Sequence, residues 1–151
     1  AACVNEALSR VSSEADSKGI IIRLHLDDAK VFADEAQIAD AVCRVVSSAI
    51  ACSRHGSEVQ VHVWIASEAF AAVEVCGYVP DLGARYEGIQ SAEQSRVDAA
   101  AELFFSAGPG DSALGMAVAY RILQLNGGLL AADATREGAC VKMTIPRLSQ
   151  G

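Results

Sequence analysis

The hydrophobic residues of this chain change their period again and again, and that alternation restricts the fold more than any single motif. Val4, Ala7, Leu8, Val11 and Ala15 recur at helical spacing over residues 3–18, and Gly19 ends the pattern. Ile20, Ile22, Leu24 and Leu26 then alternate with Ile21, Arg23 and His25, which predicts a strand; Val31-Phe32-Ala33 predicts a short second one after the turn at Asp27-Asp28. Asp34 followed by Gln37 resembles a capping box and opens a helix expected to run to about Arg54, with Ile38, Val42, Val45 and Ala49 as its core stripe. Arg44, Ser48 and Ala51 line a different face of that helix, where a ligand could be read.

Glu58 to Ala66 and Phe70 to Cys76 alternate cleanly, and the short Ser67-Glu68-Ala69 turn between them predicts an antiparallel pair. From Gly77 to Asp111 the pattern breaks, apart from a helical patch at about Arg96 to Phe105, as in a lid or a disordered segment. Ser112 is placed to cap a third helix with Leu114, Val118, Ile122 and Leu125 on its stripe and Asn126-Gly127-Gly128 as its stop. Leu129 to Ala134 and Ala139 to Ile145 predict a closing hairpin. Helices laid on one face of a mixed, largely antiparallel sheet make an α+β two-layer sandwich, which is the expected fold.

With 151 residues, the chain reads as one domain over 1–151 with a lid-equivalent segment at about 78–111. A chain of that length buries roughly two-thirds of its unfolded surface without help from crosslinks. It opens on Ala1 with no initiator methionine and reads as a piece excised from something larger. No apolar run reaches the roughly 18 residues of a membrane span, and no basic-then-apolar leader opens it, so a soluble, cytoplasmic domain is expected. A formal net charge of −7 argues against a nucleic-acid surface, since duplex affinity rests on lysine and arginine meeting phosphates. The five cysteines (Cys3, Cys43, Cys52, Cys76, Cys140) are odd in number and show no C-x-x-C spacing, so neither a disulfide framework nor a zinc site is expected, and buried free thiols are.

The stretch Gly108 to Gly128, GPGDSALGMAVAYRILQLNGG, reads as a glycine-rich loop feeding a helix, a layout that places backbone N–H groups under an anion. With "VFADEAQIADAVCRVVSSAIACS", "VEVCGYVPDL" and "SALGMAVAYRILQLNGGLLAADATREGACVKMTIP" in that order, nearly the whole chain resembles the ATP-binding catalytic domain of sensor histidine kinases, in the superfamily shared with gyrase and the heat-shock chaperone ATPases. The three segments match the family's asparagine-box helix, first glycine box, and second glycine box with its closing hairpin.

The resemblance implies candidate nucleotide contacts at Arg44, Ser48, Gly77, Gly110, Ser112, Leu114 and Gly115, with Ser48 at the position of the magnesium ligand. It also implies that most of them are altered. Where the family carries two asparagines and a lysine, this helix carries Arg44, Ser48 and Ala51, and a serine is a shorter, weaker oxygen donor than an amide. Gly77 stands where the family has the aspartate that accepts the adenine amino group, a charge-assisted bond worth about 1.5–3 kcal/mol. Val79 and Asp81 replace two box glycines, and Ala113 a third, while Leu114 and Gly115 are retained and Phe104-Phe105 sits where the family carries its lid phenylalanine. His25, His55 and His62 lack the H-E context of a phosphoacceptor, and Glu74 reads as a solvated strand residue.

The expectation is a degenerate kinase domain in two-component signalling, with no cofactor, or ATP and magnesium if the pocket still functions. Its expected partners are the histidine-bearing dimerisation domain of the parent protein, a response-regulator receiver or a partner kinase. The alternatives are an atypical but active histidine kinase, with Arg44 standing in for the lysine, and a histidine phosphotransferase with a kinase-like domain.

Overall fold

The computed structural model describes residues 2–27, 29–31, 33–78, 111–134 and 138–147. Among them run α1 (Ala2–Lys18), β1 (Ile21–Leu26), α2 (Glu35–Cys52), β2 (Glu58–Ile65), β3 (Phe70–Tyr78), α3 (Asp111–Leu125), β4 (Leu129–Ala134) and β5 (Gly138–Pro146). The strands form one sheet in the order β1-β2-β3-β5-β4, with β1 parallel to β2 and every other pair antiparallel. The sandwich expected from the sequence is the one observed.

Strict alternation decides which side of the sheet each residue occupies. Val59, Val61 and Val63 of β2, Val73 and Val75 of β3, and Val141, Met143 and Ile145 of β5 are all buried beneath the helices. The helices return the same pattern at their own period: Val4, Ala7, Val11 and Ala15 from α1, and Ile38, Val42, Val45, Val46 and Ala49 from α2. At about 25 cal/mol per Å² of apolar surface, this shared core is the main source of stability.

The helix ends explain why the elements stop where they do. Gly19 adopts φ 68°, and Ile20 N–H donates to Ala15 O at 2.9 Å, so α1 closes in a left-handed cap. Gly127 does the same for α3 at φ 75°, with Gly128 N–H donating to Leu123 O at 2.7 Å and Gly127 N–H to Gln124 O at 3.2 Å. At the start of α2, the Asp34 carboxylate accepts from Gln37 N–H at 3.1 Å, as the capping box predicts. The return bond comes from elsewhere: Asn126, just past α3, accepts from Asp34 N–H at 3.1 Å and donates to Gln37 Oε1 at 2.9 Å. One side chain therefore ties the end of α3 to the beginning of α2.

Four expectations need correction. The second strand at residues 31–33 reduces to a single bridge between Val31 and Arg147, too short to earn a place in the sheet. The long helix stops at Cys52 instead of Arg54, because Ser53 turns extended and its N–H closes on Ala49 O and Ile50 O. Ser112 falls inside α3, which already includes Asp111, so it is not the residue before the helix. Leu125 is 64% exposed; the buried stripe of α3 passes through Ala119, Ile122 and Leu123, the side that meets α2. The helical patch at 96–105, the lid phenylalanines, Gly110, Val79 and Asp81 lie outside the described residues.

Candidate functional site

The resemblance directs attention to α2, which packs against both α1 and α3. Arg44 sits there with its Nε 3.1 Å from Asp40 one turn earlier, and the Arg10 guanidinium of α1 reaches within 4.0 Å of the same carboxylate. The guanidinium is thus already engaged with an acid on its own helix. Ser48, one turn further, is 2% exposed and belongs to the packed interior. Ala51 contributes its carbonyl, which accepts from Lys18 Nζ at 2.8 Å; the same ammonium reaches Ile50 O at 2.9 Å and so meets the negative end of α2.

Gly77 is buried on β3 directly against the last turn of α2. A Cβ added there would lie 2.5 Å from Ser53 Oγ and 3.2 Å from Ala49 O, closer than any side chain can sit without something moving. The hydroxyl that fills this space is held in place, since Ser53 Oγ donates to Ala49 O at 2.6 Å and Ser53 is 3% exposed. A side chain at position 77 therefore requires the Ser53 hydroxyl to turn aside and the Ala49 carbonyl to give by a few tenths of an ångström. The sequence shows the glycine but not the hydroxyl that lies beside it.

Ser112, Leu114 and Gly115 lie on the first turns of α3, and Gly110 lies outside the described residues. The described structure sets Gly77 against Ala49 and Ser53 at the end of α2 and buries Ser48 on the same helix. It holds Arg44 in an ion pair on the helix surface.

The opposite face of the sheet carries residues that the sequence reading did not assemble. Register places Cys76 of β3 directly across from Cys140 of β5, and the two are joined in a disulfide with their Cα atoms 4.1 Å apart. The expectation of free thiols is corrected for this pair, because both cysteines occupy the outward phase of adjacent strands and face each other. Cys3 and Cys43 are free and half-buried, and burial above all pushes both thiols upward from their ordinary range, aided at Cys3 by the charge of Glu35. Beside the disulfide, Glu74 faces His62, and Lys142 Nζ lies 5.4 Å from the centre of the Trp64 ring. A groove of about 510 Å³ runs over this face, lined by Arg23, His25, Gln60, His62, Glu74 and Cys76 among others. The outward alternation of Cys76 and Cys140 was readable; their pairing was not.

No protein-family model matches the chain, and no curated protein is similar to it in sequence. Among solved structures, a mycobacterial sensor histidine kinase, MprB, superimposes with a TM-score of 0.75 at 21% identity, covering 98% of this chain and 94% of that one. The nucleotide-free catalytic domain of the histidine kinase ThkA gives 0.73 at 16% identity, with 98% and 93% covered. Full-length ShkA, solved in complex with AMPPNP, gives 0.71 at 16% identity; the match takes in 99% of this chain and 30% of that one. The chain has the fold of histidine kinase catalytic domains. None of its helices, among the described residues, is long and apolar enough to cross a membrane.

Proposed function

We propose that this chain is a degenerate histidine kinase catalytic domain that binds ATP weakly or not at all and serves two-component signalling as a regulatory or partner-docking module. One observation carries the reading: the space at Gly77 is filled by Ser53 Oγ and Ala49. In the resemblance, that position supplies the carboxylate that recognises adenine. Deleting a recognition group while leaving its space open weakens a site; closing the space rebuilds it as core.

Among the described residues, Ser48 and Arg44 do not compensate. Magnesium bound beside phosphates takes oxygen ligands in a near-octahedral shell, mostly carboxylates and waters. At the position of the metal ligand the chain offers Ser48, a hydroxyl sunk in the interior. Arg44, the candidate cation for phosphate, is paired with Asp40. ATP and magnesium therefore fit these residues poorly. The expected partners are proteins: the histidine-bearing dimerisation domain of the parent, a response-regulator receiver or a partner kinase.

Titration calorimetry with ATP and with ADP, each with magnesium, tests the reading. No heat of binding is expected up to millimolar nucleotide, and micromolar affinity would reject it. Transfer of labelled phosphate from ATP to a histidine of the full-length parent would reject it in favour of an active, atypical kinase. Phosphate passing to the parent from a phosphorylated receiver, with no nucleotide present, would favour the phosphotransferase.

A further inference from the structure

We propose that the outer face of the sheet carries a redox-gated site for a thiophilic divalent cation such as zinc, formed by Cys76, Cys140 and Glu74 once the disulfide is reduced. The ligand atoms of these three residues, two Sγ and a carboxylate oxygen, lie within 4.8 Å of one another. All three side chains are half-buried on one face, and their spacing is set by the β3–β5 ladder, in which Cys76 opposes Cys140 and Glu74 opposes Lys142. They stand on paired strands with β2 on one side and β4 on the other, so the donors are held by backbone hydrogen bonds and not by loops.

The donor set has the chemistry of an open zinc site. Zinc favours tetrahedral surroundings with sulfur at about 2.3 Å, which sets two coordinated sulfurs about 3.8 Å apart. Backbones whose Cα atoms are 4.1 Å apart can present two sulfurs at that separation after the S–S bond opens. Two thiolates and one carboxylate bring three negative charges to a dication, and water completes the fourth position. Softness selects the metal: magnesium and calcium prefer all-oxygen shells, while zinc accepts thiolate with carboxylate. His62 is not needed as a ligand; its ring packs 4.6 Å from Trp64 and 5.8 Å from His25.

Gating follows from electron balance. A dithiol reductant attacks one sulfur of the disulfide as a thiolate, forms a mixed disulfide, and resolves it with its second thiol, leaving as its own cyclic disulfide. Two electrons and two protons pass to Cys76 and Cys140, which become thiols. Binding of the cation then displaces both thiol protons to water. The oxidised protein has no thiolate here and no site.

The test uses the chain with Cys3, Cys43 and Cys52 changed to serine, so that Cys76 and Cys140 are the remaining thiols. After reduction with dithiothreitol and its removal under nitrogen, cobalt(II) is titrated and then displaced with zinc. One equivalent of cobalt is expected, with visible tetrahedral bands and a near-ultraviolet thiolate charge-transfer band, both abolished by zinc and both absent from the oxidised protein. Cys140→Ser should remove about half of the charge-transfer intensity, and Glu74→Gln should weaken cobalt by at least about tenfold, as a lost ligand costs no less than a lost outer-shell partner. Reduced protein that binds no cobalt overturns the proposal. So does equal binding by the oxidised form, or binding indifferent to Cys140→Ser or to Glu74→Gln. Circular dichroism establishes that each variant is folded; where one is not, alkylating the two thiols of the folded, reduced protein must abolish binding in its place.

Discussion

The two faces of the sheet follow opposite rules. On the helix side, Val61, Val75, Val141 and Met143 are fully buried, and even the glycine at position 77 is pressed against Ser53 and Ala49. On the other side stand Gln60, His62, Trp64, Glu74, Lys142 and the Cys76–Cys140 pair, exposed or half-buried, with no helix over them among the described residues. Around Gly77 the helix side is buried, and polar, ligand-type side chains stand on the open side.

Substitutions should separate the faces sharply. Gly77→Asp should have the largest effect, above about 4 kcal/mol in urea unfolding, because it combines overpacking with a buried, unpaired carboxylate. Adding Ser53→Gly should recover part of that loss, and a double-mutant cycle measures how much. If Gly77→Asp is tolerated and gains nucleotide binding, the helix side is an open pocket after all, and the contrast between faces collapses. Met143→Ala should cost about 2–5 kcal/mol for the cavity it leaves. Opening the disulfide with Cys76→Ser and Cys140→Ser should cost about 2–4 kcal/mol, read from the denaturation midpoint against the oxidised protein. Lys142→Ala, one residue from Met143 but on the open face, should cost only about 0.5–1 kcal/mol, the worth of an exposed cation over a ring.

The smallest effect concerns pH. Cys3 and Cys43 hold their protons more tightly folded than unfolded, because burial disfavours the thiolate. Their contribution is fully present below the unfolded thiol pKa of about 8.5 and is lost as pH rises through the raised folded values. Stability should therefore decline on the alkaline side, and replacing both residues by serine should flatten that slope in melts taken between about pH 7.5 and 10.

What the sequence made legible was local. The capping carboxylate of Asp34, the left-handed stop at Gly127 and the alternation of β2 are written in neighbouring residues, and each is found where its chemistry requires. What stayed hidden depended on partners far along the chain. Cys76 and Cys140 are 64 residues apart, and only the β3–β5 register makes them opposite. Ser53 fills the space at Gly77 because α2 ends above β3, and no spacing rule encodes that. Val31 bonds to Arg147, so residues 31–33, read alone, suggested more strand than one bridge provides. Leu125 fits a helical stripe by spacing, yet the neighbour that buries α3 faces Leu123.

Asn126 also sets a mechanical condition. Because it grips both Asp34 and Gln37, α3 is fastened at its C-terminal end, and that fastening is the bearing about which the helix would tilt. Its 15 residues span about 22 Å. A tilt of about 10° leaves the bearing still but sweeps the far end through about 4 Å. That far end is Asp111, the first residue of α3.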